Sequence, residues 1–143
     1  MTIRELPKII SKYRKPNTYK ALIQIISSFG PFFIITILTY LIIYYTNTTW
    51  HKLFIIPLSC INAFFLVKIF IIQHDCGHQS FFSHRVANSI LGSICSLFSF
   101  IPYEYRAKSH TFHHNHNGKL RPYRDIGDIM TYTVNEFKQM KKR

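Results

Sequence analysis

Two long apolar runs dominate the first half of the chain. Residues 21–45 contain no charged side chain, and the run at residues 53–73 is interrupted by Asn62 and Lys68. A helix rises about 1.5 Å per residue, so either run is long enough to cross roughly 30 Å of hydrocarbon. Polar and aromatic residues at 46–52, including Trp50, separate the two runs and predict a tight turn at a membrane surface. The pattern therefore predicts a transmembrane helical hairpin.

Both runs are interpreted as membrane spans, and the first is not a signal peptide. The basic residues before the first run resemble those of a signal peptide, but the run exceeds an apolar core of about 7–15 residues and no small-x-small cleavage site follows. Gly30 and Pro31 lie within the first run and predict a kink, which a membrane helix tolerates. In the second run, Lys68 lies near enough to the C-terminal end for its ammonium group to reach the interface.

A third apolar stretch, at residues 86–101, is short for a full crossing. It contains Gly92 and several hydroxyl and amide side chains. This composition favours a segment that lies in the membrane interface or enters the membrane and returns. The predicted fold class is therefore all-α and integral to the membrane, with one helical hairpin and one interfacial or re-entrant segment.

Charged residues lie mainly outside the apolar runs. The net charge is +12, from 18 Lys and Arg against 6 Asp and Glu, and six of the basic residues lie at positions 1–20. A nucleic-acid-binding protein is disfavoured, because the basic residues flank apolar runs, where they attract anionic headgroups. The positive-inside rule places both ends of the chain in the cytosol. We expect a basic cytosolic segment at residues 1–20 and a membrane domain at residues 21–143.

Histidines form two clusters, each directly after an apolar stretch. The first is H-D-C-G-H at residues 74–78, and the second is H-T-F-H-H at residues 110–114. Side chains three or four positions apart share one face of a helix, and imidazoles at that spacing can converge on a metal ion. Five nitrogen ligands exceed the need of one tetrahedral ion, so two metals are implied. The predicted ligands are His74, His78, His110, His113 and His114.

Other interpretations of the histidines are possible. An i,i+4 pair at a membrane surface can be interfacial polar residues, and His51 and His84, which have no partner at ligand spacing, are interpreted in that way. The sequence leaves the role of His116 open. H-D-C-G-H also resembles the H-E-x-x-H motif of zinc metalloproteases, but Gly77 suits a rigid helix poorly and the second cluster would then have no role.

Shared metals constrain the topology. Two clusters can share ions only on one side of the bilayer, so residues 86–101 cannot cross the membrane once. The short length of that stretch agrees with this deduction.

The chain resembles the membrane-bound fatty acid desaturases, in particular the bacterial-type acyl-lipid branch that includes Δ12-like enzymes. The resemblance extends over residues 20–143 and depends on the two histidine motifs together with the first hairpin. The matching stretches are H-D-C-G-H-Q-S-F-F at 74–82, S-H-T-F-H-H at 109–114, G-K-L at 118–120, I-G-D-I at 126–129 and T-Y-T-V-N-E-F at 131–137.

The resemblance implies a non-haem di-iron centre on the cytosolic face of a bacterial inner membrane or an endoplasmic reticulum. It implies O2-dependent removal of two hydrogens from an acyl chain of a membrane lipid, which makes a cis double bond. Electrons would come from ferredoxin or a cytochrome b5-type carrier. By the same resemblance the five predicted histidines are iron ligands, and Asp75 orients a ligand imidazole. Asn88 also follows the family pattern, without an assigned role.

The sequence departs from the family in one respect. Desaturases have a third histidine motif, H-x-x-H-H, after a further membrane hairpin, and these 143 residues contain neither. We therefore expect two iron ions with an incomplete ligand set, and a chain that is truncated or split and is inactive without a C-terminal half chain. A non-catalytic membrane remnant and a related histidine-motif hydroxylase or ketolase are the alternatives.

Overall fold

The computed structural model describes residue 11 and residues 15–47, 49–116 and 132–140, and every element in those ranges is a helix. Most of the basic segment at residues 1–20, the motifs at 118–120 and 126–129, and the basic residues 141–143 lie outside them. The predicted all-α class is confirmed. The helices are α1 (Thr18–Tyr45), α2 (Thr49–Lys52), α3 (Ile55–Gly77), α4 (Arg85–Ser99), α5 (Tyr103–His116) and α6 (Val134–Gln139).

The two predicted spans correspond to α1 and α3, which have 28 and 23 residues and are long and apolar enough to cross a membrane. The Asn17 side chain caps the start of α1 by accepting from the Lys20 N–H at 3.0 Å. The helix continues without a break through Gly30 and Pro31. Large apolar side chains of both helices are exposed, as expected where lipid replaces water as the solvent.

Polar contacts join α1 to α3 inside the hairpin. Asn62 Nδ2 donates to Thr36 Oγ1 at 2.9 Å, and Lys68 Nζ donates to the Ser27 carbonyl at 3.0 Å. Ser27 lies four residues before Pro31, which has no N–H to offer that carbonyl. Lys68 therefore supplies the hydrogen bond that the proline removes, which explains a lysine in an apolar helix.

Helix α4 is amphipathic, and both of its ends return to the C-terminal end of α3. Near its start, Asn88 exchanges hydrogen bonds of 2.9 and 2.8 Å with the N–H and carbonyl of Phe82, in the loop that directly follows α3. After its end, the Ile101 carbonyl accepts from Gln73 Nε2 at 2.7 Å. Helices α4 and α5 meet at a 103° bend. This geometry agrees with the predicted interfacial or re-entrant segment and not with one straight crossing.

An aromatic group packs α4 against the hairpin. The ring of Phe98 lies edge-on to three rings of α1, with centroid distances of 5.3 Å to Phe29, 5.7 Å to Phe32 and 5.7 Å to Phe33. Such edge-to-face pairs are favoured by the ring quadrupoles. The contact holds the C-terminal half of α4 on the hairpin.

Replacing Lys68 with Met should cost less stability in a Pro31→Ala background than in the natural chain. The introduced alanine restores an N–H that can bond the Ser27 carbonyl, so Lys68 is no longer needed there. We expect a coupling free energy of about 1 kcal/mol between the two substitutions. The measurement is unfolding in mixed detergent micelles, followed by circular dichroism.

Lys52, which is exposed in α2, provides the matched control. Lys52→Met should have the same effect in both backgrounds. Equal costs of Lys68→Met in the natural chain and in the Pro31→Ala background would contradict the assigned role of the lysine.

Candidate metal centre

The two histidine motifs lie on helix segments that face each other. Helix α3 continues through Gly77, so His74 and His78 are separated by one turn at its C-terminal end. His110 and His114 are likewise one turn apart on α5. Gly77 lies directly opposite Ala107 of α5: a Cβ atom at position 77 would be in ordinary van der Waals contact with the Ala107 Cβ, at 3.6 Å.

Four imidazoles converge between these helices, and we call His74, His78, His110 and His114 the four-imidazole cluster. His74 Nε2 lies 2.9 Å from His110 Nε2 and 3.3 Å from His78 Nε2. His110 Nε2 lies 3.0 Å from His114 Nε2. Nitrogens around one tetrahedral ion with bonds of about 2.1 Å are roughly 3.4 Å apart. The cluster therefore has dimensions close to those of a metal site.

Asp75 determines which nitrogen of His74 carries a proton. Asp75 Oδ1 lies 3.1 Å from His74 Nδ1. A carboxylate accepts hydrogen bonds, so in the neutral imidazole this contact places the proton on Nδ1 and the lone pair on Nε2, which faces the cluster. This contact is the one expected of a carboxylate that orients a ligand imidazole.

The surroundings of His78 favour its neutral form. Partial burial lowers the pKa of His78, and the neighbouring imidazoles of His74, His110 and His114 lower it further. The Asp75 carboxylate acts in the opposite direction but is the smaller influence. A neutral imidazole is the form that ligates metals.

The donor chemistry fits a transition-metal ion. Lone pairs on closely spaced nitrogens repel one another unless a proton or a cation lies between them, and His74 Nε2 contributes such a lone pair. A set composed of imidazole nitrogens suits iron, zinc, copper or nickel rather than magnesium or calcium. His74, His78 and His110 form a group that could hold one ion, with a nitrogen of each within 4.8 Å of the others.

The remaining histidines differ in position. The His113 ring borders the cluster, with its centroid 6.1 Å from His110 and 5.9 Å from His114. His116 turns back along α5, where its ring stacks on Phe112 at 4.1 Å and its Nδ1 lies 2.9 Å from the Phe112 carbonyl. His84 is exposed at the start of α4, and the side chain of His51 lies outside the described part of the chain.

Buried polar residues beside the cluster were not predicted. The Gln73 side chain, next to His74, is buried and bonds Ser96, Ser99 and Ile101 of the α4 region. Tyr103, at the start of α5, donates to the Cys76 carbonyl at 2.9 Å. A glutamine at the end of an apolar run was the available signal for Gln73. The role of Tyr103 depends on the angle between helices, which no local pattern gives.

Comparison with known proteins identifies the family. The family model described as fatty acid desaturase matches residues 48–135, more than half of the chain. The chain belongs to the fatty acid desaturase family. Over 140 residues it is 38% identical to the fatty acid desaturase of Bacillus subtilis, and the match covers 98% of this chain and 38% of that desaturase. The predicted family membership is confirmed.

Two further desaturases match shorter stretches. The acyl-lipid omega-3 desaturase (cytochrome b5) of Arabidopsis thaliana is 42% identical over 52 residues, 36% of this chain and 14% of the relative. The sn-1 acyl-lipid omega-3 desaturase (ferredoxin) of a Nostoc species is 35% identical over 52 residues, with the same two shares. This chain spans less than two fifths of the length of each of these curated relatives. No solved structure is significantly similar to it.

His78→Ala and His110→Ala should each weaken Co2+ binding by the detergent-solubilised chain. Losing a ligand should cost more than the roughly 10- to 100-fold loss that follows removal of an outer partner. Titration followed by the visible absorption of bound Co2+ measures the effect. His84→Ala is the matched control and should bind as the unaltered chain does, whereas unchanged binding by His110→Ala would refute the cluster as a metal site.

Asp75→Ala should reduce Co2+ affinity about 10-fold or more, because Nδ1 of His74 loses its acceptor. Asp75→Asn retains an acceptor oxygen and should lose less. The same titration measures both variants. A lower Co2+ affinity for Asp75→Asn than for Asp75→Ala would contradict the orienting role.

Proposed function

We propose that this chain forms part of a membrane fatty acid desaturase and that His74, His78, His110, His113 and His114 ligate two non-haem irons. The observation that carries the proposal is the convergence of four imidazoles at the end of an apolar helical hairpin. His113 borders that cluster on α5 and is assigned to the second ion. Family membership supports the same assignment.

The residues around the cluster have distinct roles in this proposal. Bound iron would supply O2-dependent removal of two hydrogens from adjacent carbons of an acyl chain, using two electrons and two protons and leaving a cis double bond and two water molecules. The imidazoles bind and orient the ions, and Asp75 keeps a proton on Nδ1 of His74. The apolar helices α1 and α3 keep the cluster next to lipid, where an unactivated acyl chain is found.

Further ligands are needed to complete two iron sites. Five imidazoles are too few for two ions with four or more ligands each. We infer that the others come from residues outside these 143, either elsewhere in a longer polypeptide or on a second chain. The Bacillus subtilis relative is long enough to contain them, since the match covers 38% of it.

The proposed orientation puts the cluster on the cytosolic side. Helix α1 begins and helix α3 ends on the same side of the hairpin, and Lys15 and Lys20 lie at the start of α1. By the positive-inside rule that side faces the cytosol, where a soluble electron carrier can reach it. Relatives named for cytochrome b5 and for ferredoxin support a donor of one of these two kinds.

A chimera tests the proposed activity. This chain replaces the matching segment of the Bacillus subtilis desaturase, and the hybrid is expressed in cells that make no unsaturated fatty acids. Gas chromatography of the cellular lipids should show new cis double bonds, and the same hybrid with His78→Ala should show none. A hybrid that inserts into the membrane in normal amount, yet forms no double bond, would favour a non-catalytic remnant.

A further inference from the structure

Tyr103 connects the two helices that carry the four-imidazole cluster. It is the first residue of α5, and its side chain is 8% exposed. Its hydroxyl group donates to the Cys76 carbonyl at 2.9 Å, and Cys76 lies midway between His74 and His78 on α3. One tyrosine hydroxyl therefore fixes the start of one histidine helix against the last turn of the other.

The same hydroxyl also accepts a hydrogen bond. Gln79 Nε2 donates to Tyr103 Oη at 3.2 Å, while the Gln79 backbone N–H donates to the Cys76 carbonyl at 2.9 Å. Gln79, Tyr103 and Cys76 thus each contact the other two, and we call this group the Tyr103 clamp. A helix ends with carbonyls that have no partner within the helix, and the clamp supplies two donors to one of them.

Gln79 occupies a backbone conformation that favours glycine. Its φ angle is 56°, in the left-handed region, and it directly follows His78, the residue that caps the C-terminal end of α3. Glycine is the residue that adopts this conformation without steric cost. The chain has glutamine instead, and its side chain is the donor to Tyr103. Strain of this kind persists where surrounding contacts compensate for it, and the compensating contact here is the clamp.

Helix α4 leaves space for the tyrosine ring. A Cβ atom at Gly92 would lie 2.2 Å from the Cε2 atom of Tyr103, so no larger residue fits without displacing the ring. Gly92 is buried on the face of α4 that packs inward. The ring is thereby held from a third helix, in addition to the two joined by its hydroxyl group.

Tyr103 lies on the face of α5 that carries two of the ligands. Positions 103, 107, 110 and 114 follow the i, i+4, i+7, i+11 spacing of one helical stripe. Ala107 of this stripe approaches Gly77, and His110 reaches His74. A rotation of α5 about its axis would therefore move Tyr103 and both imidazoles together.

We propose that the Tyr103 hydroxyl group is a positioning group for the metal centre, setting the rotation and register of α5 against α3 so that His110 and His114 meet His74 and His78. The proposal depends on the proposed metal-binding function of the cluster. Tyr103 itself is not one of the proposed ligands. It acts through the backbone of Cys76 and the orientation of α5.

Tyr103→Phe is the direct test, because it removes the hydroxyl group and keeps the ring that packs on Gly92. In the detergent-solubilised chain, stripped of metal and titrated with Co2+, we expect affinity to fall about 10-fold and the visible Co2+ bands to shift, as for loss of an outer partner. Tyr105→Phe, at an exposed position of the same helix, is the matched control and should leave both unchanged.

Gln79→Gly separates positioning from general stability. It relieves the left-handed strain, so the thermal unfolding midpoint should stay the same or rise, while Co2+ affinity should fall because the donor to Tyr103 is lost. If Gln79 contributed only to stability, the unfolding midpoint and the Co2+ affinity of this variant would change in the same direction. If Tyr103→Phe does not fold, the Co2+ affinity of Gln79→Gly tests the positioning role instead.

The outcomes distinguish failure of the positioning role from failure of the metal-binding function. If His78→Ala abolishes Co2+ binding while Tyr103→Phe and Gln79→Gly bind Co2+ with unchanged affinity and spectrum, the positioning role is overturned and the metal site stands. If the unaltered chain does not bind Co2+, the metal-binding function is overturned, and the positioning role with it.

Discussion

The structure depends on the approach of imidazole nitrogens from two helices that are separated in sequence by a third. His74 Nε2 and His110 Nε2 lie 2.9 Å apart, although 36 residues separate them along the chain. That contact requires the chain to leave α3, form α4 and return to the same place. The 103° bend between α4 and α5 makes the return possible, so the meeting of the imidazoles and the topology of the chain are one constraint.

Polar side chains of α3 and α4 maintain this geometry. Lipid offers no hydrogen bonds, so each buried polar group must find a partner within the protein. Lys68 bonds the carbonyl that Pro31 leaves without an N–H, Gln73 joins α3 to the end of α4, and Asn88 fixes the loop between them. Helices α1, α3 and α4 are thus joined by specific contacts in addition to apolar packing.

The sequence predicted the hairpin and the meeting of the two histidine motifs, because charge-free length and i,i+4 spacing are local properties. It did not predict the unequal positions of His113 and His114. At about 100° per residue, His114 lies roughly 40° from His110 around α5, and His113 lies about 60° from it on the other side. Which of them faces α3 depends on the rotation of α5, and that rotation depends on tertiary contacts such as that of Tyr103.

X-ray absorption spectroscopy of the iron-loaded chain tests the central claim most directly. A metal centre shared between α3 and α5 predicts scattering from two or more imidazole rings per bound iron, and a lower ring count when His110 is replaced by Ala. A first shell made only of oxygen atoms, or an imidazole count that His110→Ala leaves unchanged, would contradict a centre shared in this way.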